Sequence, residues 1–297
     1  MNIRKIFAEK KTTFSFEFFP PKTDEASERL FETIKQLTPL GPSFVSVTYG
    51  AGGTTRGRTH DLVVRLHRET DLTIVPHLTC VGSSREEIHE IIGEYKDAGI
   101  ENIFALRGDP PKGSVDFIQP ENGFAYATEL VAFIKEHYPS MGIGVAGFPE
   151  GHPATPNRLI ELDFLKEKID AGADYICTQM FFDNHEFYDF RERCVLAGIT
   201  VPIIAGIMPI TSKKGMKRMA ELSLGTRFPA SLLRSIDRIE NDEMVANAGV
   251  HWASEQVRDL LHNGVKGIHF YTLNNSSSTL QIYKSLGVTH SEQLIAQ

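Results

Sequence analysis

Cysteine is scarce. The 297 residues hold three, Cys80, Cys177 and Cys194, an odd number with no Cys-x-x-Cys or Cys/His spacing. This excludes a disulfide framework and a zinc finger, and each thiol sits in an apolar or helical context that reads as small core residue. An excess of basic charge is also missing: the net charge is -7 and the sequence pI about 5.9. A concentrated basic face is therefore not available, and neither nucleic acid nor a membrane surface is an expected partner. No stretch approaches the ~18 consecutive apolar residues of a membrane span. Residues 1–11 are charged and lack the apolar run of a signal peptide, so the expected location is cytoplasmic. His-Glu-x-x-His and Gly-x-Ser-x-Gly are absent, which leaves no metal site and no serine-nucleophile elbow to propose. No low-complexity linker divides the chain, and the Asn274-Asn275-Ser276-Ser277-Ser278 run reads as a polar loop.

What is present is an ordinary globular composition, 41% hydrophobic and 23% charged, with a repeated alternation of patterns. Apolar period-2 or continuous runs predict strands at residues 14–19, 44–49, 72–80, 102–106, 142–148, 175–182, 201–208 and 267–273. Helical spacing predicts helices at 23–37, through Leu62, Val63 and Leu66, and at 84–98, 125–137, 159–171, 186–196 and 279–286. The long interval 212–263 is helical in pattern and holds more than one helix. Eight strands alternating with helices match an α/β fold of the (β/α)8 TIM-barrel type, a single domain over residues 1–297. A doubly wound open sheet is the alternative.

In a (β/α)8 barrel the chemistry sits where the strands end. The first strand, Phe14-Ser15-Phe16-Glu17-Phe18-Phe19, stops at Pro20-Pro21 and sets Glu17 on the face opposite Phe14, Phe16 and Phe18. A carboxylate at the end of a buried strand must pair with a cation or accept a raised pKa, and a raised pKa is what a general acid near neutral pH requires. The other ends carry Thr48-Tyr49, His77, Arg107-Gly108-Asp109, Phe148 to His152, Gln179, Met208 and Tyr271-Thr272. Each has a bland reading, such as a core histidine or a turn cap, but together they make a polar rim. The Gly142 to Gly147 segment fits Gly-x-Gly-x-x-Gly, yet it lies within a strand and leads into Phe148-Pro149. The dinucleotide fingerprint needs a helix N-terminus there. Small residues in that strand are instead expected to let something flat approach the barrel wall.

The blocks FSFEFFPPK, FVSVTYGAGG, PHLTC, ALRGDPP, FPEGHP, DAGADYICTQMFFD, AGIMP and HFYTLN follow one another over nearly the whole chain. In that order the sequence resembles the methylenetetrahydrofolate reductase family, in its short, catalytic-domain-only form. The resemblance implies an FAD enzyme that takes a hydride from NADH or NADPH and reduces 5,10-methylenetetrahydrofolate to 5-methyltetrahydrofolate in a ping-pong cycle. It implies Glu17 as the general acid on the folate amine, Asp109 as the acidic residue between pterin and flavin, and Gln179 as the amide that reads the pterin. Tyr271 joins them on the substrate side. Thr48, Tyr49, Ala51, His77, Arg107, Gly108, Asp109, Tyr126, Ala127, Phe148, His152, Glu161 and Lys168 correspond to FAD contacts. The expected partners are the folate and the nicotinamide, and the chain is expected to form a homo-oligomer.

Three positions depart from the family pattern. Phe148 stands where Tyr is frequent. Gly215 and Met219 occupy places where a bacterial branch has Gln and Phe that contact folate and nicotinamide. Asn275 replaces an Arg after Thr-Leu-Asn, and Lys213, Lys214 or Lys217 is the expected substitute cation for the folate tail. A non-redox pterin-binding barrel such as a folate-dependent methyltransferase, and a folate- or flavin-binding protein without turnover, are the competing readings. The first should purify colourless, which an absorption spectrum shows, and the second should bind without turnover.

Overall fold

The alternation of Phe14, Phe16 and Phe18 with Ser15 and Glu17 decides how the first strand lies. In the computed structural model, which describes residues 1–49, 56–109, 117, 119–223 and 225–295, the three phenylalanines are buried between the sheet and its surrounding helices. Ser15 and Glu17 therefore project to the other side, into a closed barrel. The strands are β1 (Thr13–Phe18), β2 (Phe44–Val47), β3 (Ile74–Thr79), β4 (Asn102–Leu106), β5 (Gly142–Gly147), β6 (Tyr175–Thr178), β7 (Ile203–Ile207) and β8 (Gly267–Tyr271). All neighbouring pairs are parallel, and β1 closes the ring by pairing with β8 in a register that sets Glu17 beside Tyr271.

The TIM-barrel expectation holds, with boundaries trimmed by one to four residues at several ends. Strand six stops at Thr178 rather than Phe182, because Phe181 and Phe182 leave the sheet to enter the helix-side core. Helices α1 (Ile3–Glu9), α2 (Asp24–Leu37), α3 (Arg56–Glu69), α4 (Arg85–Asp97), α5 (Ala127–His137), α6 (Arg158–Asp170) and α7 (Asn184–Leu196) come first in the chain. They are followed by α8 (Lys213–Leu222), α9 (Ala230–Asp237), α10 (Asp242–His262), α11 (Ser277–Ser285) and α12 (Ser291–Ile295). Local chemistry starts several of them: the Thr23 hydroxyl accepts from the Ala26 N–H, and Ser84 with Glu87 forms a complete capping box on α4. None of the helices among the described residues is long and apolar enough to cross a membrane.

Helix α1 is the main element the sequence patterns did not announce. Its seven residues are too few for a periodicity to be read, and such a helix is stable only by tertiary packing. That packing is the barrel floor. Ile3 and Ile6 are buried with Phe44, Val75, Phe104, Tyr175 and Ile204, and Phe7 lies 5.2 Å from the Tyr175 ring. Of the small residues of β5, Gly142 and Gly144 serve this floor and Gly147 serves the helix-side core. A Cβ on Gly144 would run into the rings of Tyr175 and Phe104, one on Gly142 into Ile3 and Asn102, and one on Gly147 into Ile176 and Phe190. The expectation that these glycines leave room for a flat ligand is thus corrected: protein side chains occupy the space.

Gly144→Ala should consequently lower stability by about 1 to 3 kcal/mol, the usual cost of overpacking. Chemical denaturation checks it, and an unchanged midpoint would mean that the Tyr175 and Phe104 rings yield without cost.

Candidate active site

The inward-facing residues at the upper level of the barrel come from four strands and meet at one carboxylate. Glu17 Oε2 lies 3.4 Å from the Ser46 hydroxyl of β2, 3.4 Å from His77 Nε2 of β3 and 3.4 Å from His269 Nε2 of β8. His269 Nδ1 is in turn 2.7 Å from the Ser15 hydroxyl. A carboxylate can only accept, so the imidazole nitrogen that bonds to it carries its proton, and the remaining nitrogen of a neutral His269 accepts from Ser15 O–H.

As the alternation requires, the rings of Phe14, Phe16 and Phe18 face the helices and polar groups face the carboxylate. Of the two outcomes open to a buried strand-end carboxylate, partners or a raised pKa, Glu17 takes the first. Burial does push the Glu17 carboxyl upward. The hydrogen bond from His269, the charge interactions with His77 and His269 and the Ser46 hydroxyl together outweigh it, and the pKa lies below the ordinary 4.5. Burial drives His77 in the opposite direction, down to about 4, although Glu17 favours its charged form. At neutral pH the group is an ionised Glu17 facing a neutral His77.

Tyr271 closes one side of this chamber. Its hydroxyl donates to the Thr178 carbonyl across the mouth at 2.8 Å, and its ring stands edge-on to His269 at 5.2 Å. Gly206 of β7 admits that ring, since a Cβ there would strike it.

A second set occupies the rim over β4, β5 and α6. Lys168 is half-buried, with Nζ donating to the Ala146 carbonyl at 3.0 Å, and burial of the ammonium lowers its pKa to about 8 while Glu161 holds it up. Glu161 is buried and accepts from the Thr155 hydroxyl at 2.7 Å. His152 packs edge-on against Phe148 at 4.9 Å. Its pKa is lowered, first by burial, with Glu161 and Asp109 opposing and Arg107 and Lys168 adding. Those interactions place Arg107, Asp109, Glu161 and Lys168 within one electrostatic neighbourhood. The Arg107 guanidinium lies 5.3 Å over the Phe117 ring, and Asp109 is exposed. Gly108 has φ +86, a conformation that favours glycine, and a Cβ there would meet Val81 and Thr79. Thr48 and Tyr49 are half-buried beyond β2. Tyr126 is the exposed N-cap of α5 and makes no side-chain cap, so no side chain caps the amides of Ala127 and Thr128, while the Glu129 N–H donates to the Tyr126 carbonyl at 3.1 Å. Ala51 lies outside the described residues. Gln179 Oε1 accepts from the Met180 N–H at 2.9 Å, beside Phe148 and Glu150.

The departures from the family pattern acquire physical roles. Met219 is buried against Phe182, Met208 and Leu232 under α8, a core residue rather than a contact. Lys213 Nζ donates to the Asp237 carbonyl at 2.8 Å, while Lys214 and Lys217 are exposed. Asn275 Oδ1 accepts from the Ser277 N–H at 2.8 Å and from its hydroxyl at 2.7 Å, at the start of α11. No group of three or more potential metal ligands occurs among the described residues.

Three residues of this region carry no signature in the sequence. Ser46 and His269 were legible only as inward-facing alternates, His269 two positions before Tyr271. Glu150 holds the loop after α8: both its oxygens accept from the Arg227 N–H, at 3.1 and 3.0 Å, and the neighbouring Thr226 hydroxyl donates to the Met180 carbonyl at 3.1 Å.

The methylenetetrahydrofolate reductase family model matches residues 2–287. The chain belongs to that family. It is 41% identical over 297 residues to methylenetetrahydrofolate reductase (NADH) 1 of Arabidopsis thaliana, covering 96% of this chain and 50% of that protein. It is 42% identical over 275 residues to 5,10-methylenetetrahydrofolate reductase of Escherichia coli, covering 92% of this chain and 90% of that protein. The chain thus spans about half the length of the plant relatives it matches. A solved structure from Clostridium thermocellum, described as binding two copies of 5-methyl-5,6,7,8-tetrahydrofolic acid, superposes with a TM-score of 0.68 at 14% identity, covering 96% of this chain and 99% of that one. That likeness is one of fold.

Glu150 generates a pH prediction. Burial, with Glu186 adding to it against the Arg227 N–H, raises its pKa from 4.5 to about 7. The folded protein thus keeps a proton that the unfolded chain releases first, so this stability term is complete below pH 4.5 and lost as pH rises through about 7. Glu150→Gln has no charge to bury. Its melting temperature relative to wild type should rise between about pH 5 and about pH 8; a flat difference would show that the carboxylate stays solvated.

Proposed function

We propose that the chain reduces 5,10-methylenetetrahydrofolate to 5-methyltetrahydrofolate with NADH or NADPH, through FAD. The observation that carries this reading is Glu17, a carboxylate aimed into the barrel mouth of a chain belonging to this family. The residues present fit FAD. Lys168, Arg107 and His152 bring cationic or donating groups to one side of the rim, no side chain caps the first amides of α5, and the buried Thr79 hydroxyl at the end of β3 has no protein partner. Diphosphate recognition by scattered cations and backbone amides needs no Rossmann motif. When bound, FAD supplies the hydride carrier that the protein side chains lack.

The protein's own part is proton management and alignment. Opening the five-membered ring of the folate breaks a C–N bond, and the departing amine needs a proton that Glu17 is placed to deliver. Gln179 and Asp109 orient the pterin, Tyr271 forms the wall opposite, and Asp109 adds negative charge near the flavin. Asn274 steadies the approach, since its side chain bonds both ways with Phe19: its Oδ1 accepts from the Phe19 N–H at 2.9 Å and its Nδ2 donates to the Phe19 carbonyl at 2.8 Å. The names of the curated relatives, which specify NADH for the plant proteins, support the choice of nicotinamide as reductant.

The test separates the two half-reactions. Nicotinamide should bleach the yellow protein with no folate present, and Glu17→Gln should leave that step nearly intact. Reoxidation by methylenetetrahydrofolate should slow by about 10² to 10⁴, the usual contribution of a positioned acid. Equal slowing of both halves in stopped-flow would refute the acid role, and a colourless protein that binds folate would favour a non-redox barrel.

A second variant, Asp109→Asn, should raise the flavin midpoint potential, because a negative charge near the isoalloxazine disfavours the anionic reduced form. An unchanged potential would leave Asp109 a turn residue.

A further inference from the structure

We propose that Ser15 and His269 are positioning residues for the acid: together they direct an N–H at Glu17 from beneath and set how readily the free enzyme's Glu17 takes up the proton it later delivers. The proposal rests on the reading of Glu17 given above. It starts from a geometric fact about the chain Ser15–His269–Glu17, which is sealed at its lower end. Ser15 is 0% and His269 3% exposed. The His269 ring stacks on Phe44 at 6.4 Å, and Phe44 packs on Tyr175 at 5.9 Å. Helix α1 covers that aromatic layer. With that end covered, the chain has no solvent-exposed group on the floor side through which to pass protons. A hydrogen-bonded chain closed at one end has a different use, which is to fix a tautomer.

Ser15 does the fixing. Its hydroxyl lies 2.7 Å from Nδ1, a short, strong contact beside the 3.4 Å separation between Nε2 and Glu17. With Ser15 O–H donating, Nδ1 is an acceptor and the ring proton resides on Nε2, the only arrangement in which neutral His269 bonds to a carboxylate. The register of the closing strand pair enforces it, because Ser15 pairs with His269 and Glu17 with Tyr271.

The other groups facing Glu17 do not replace this function. Ser46 from β2 donates at 3.4 Å, and His77 from β3 stands at 3.4 Å. Tyr175 and Cys177 from β6 and Tyr271 from β8 all interact with its charge, and burial keeps all three protonated. Among the described residues facing Glu17, His269 combines a bond to it with a second bond, to Ser15, that orients the ring. In turnover Glu17 first takes a proton from water at the open mouth, and that proton forms the N–H bond to the folate amine as the C–N bond of the ring breaks. Glu17 is left as a carboxylate, and a proton from water at the open mouth restores it.

The experiment measures the pH dependence of reoxidation of the prereduced holoenzyme by methylenetetrahydrofolate, expressed as the second-order rate constant. In wild type this constant falls with rising pH as Glu17 deprotonates in the free enzyme. His269→Asn should move that limb to higher pH by about one to two units, the equivalent of one hydrogen bond to a charged group. Ser15→Ala should move it in the same direction by less, and Ser15→Thr should restore it. Flavin reduction by nicotinamide should keep its wild-type rate and pH profile in all three. Infrared titration of the Glu17 carboxyl, taken as the difference from Glu17→Gln, should show the same displacement. If the limb stays where it is in FAD-loaded Ser15→Ala, the proposal is overturned, whether or not His269→Asn folds. Glu17→Gln distinguishes the failures: a pH limb that survives in it would refute the acid assignment itself, not the role of Ser15 and His269.

Discussion

The pairing of β1 with β8 is the interaction on which the rest of the site depends. It joins segments about 250 residues apart and puts Ser15 beside His269 and Glu17 beside Tyr271. Closure leaves no free sheet edge and turns one face of every strand inward. A polar residue on that face has only other inward residues for company, so hydrogen-bond satisfaction becomes a property of the ring as a whole. Of the inward polar groups, Glu17 satisfies itself on Ser46 and His269, His269 on Ser15, and Tyr271 on the Thr178 carbonyl. The Thr272 hydroxyl donates to the Glu17 carbonyl and Asn274 ties Phe19, which anchors the backbone on both sides of the carboxylate.

Electrostatically, the barrel interior and the rim solve different problems. In the interior a buried carboxylate would ordinarily take up a proton, but imidazole and hydroxyl donors reverse that tendency for Glu17. On the rim, positive groups collect in a protein whose net charge is -7. Lys168 and His152 are buried enough for their charged forms to be disfavoured, and Glu161 opposes that effect on both. An anionic ligand at this rim would favour the charged forms of these groups in the same way.

The floor and the loop beside Gln179 show how positioning is achieved without catalytic chemistry. Aromatic residues of three strands and α1 fill the lower barrel, and Gly144 of β5 admits the Tyr175 and Phe104 rings. The loop after α8 is held through Glu150 and Thr226, so the α8 end is tied to the ends of β5 and β6. Met219 and Lys213, which stand in the folate-facing helix of the family pattern, are turned to packing and to the Asp237 carbonyl.

The sequence by itself determined the strand–helix alternation, the barrel, and the placing of Glu17, Asp109 and Gln179 at strand ends. Period-2 and helical patterns are local, and an active site at strand ends follows from the architecture. The family was legible too, because FEFFPP, RGDPP and FYTLN keep their order. Tertiary structure alone decided what touches what. The Phe14, Phe16 and Phe18 pattern said that Glu17 faced away from the rings, but not that Ser46, His77 and His269 would meet it there. That meeting depends on the register of four strands distant in the chain, and it reversed the direction of the Glu17 shift. The use of Gly142, Gly144 and Gly147 was likewise undecidable from composition, since a missing side chain makes room without saying for what. Helix α1 lay below the length at which periodicity is readable, and its place comes from the apolar floor it covers. Local patterns determine which way a residue points, whereas its pKa and its partners are set by groups that only chain closure brings near.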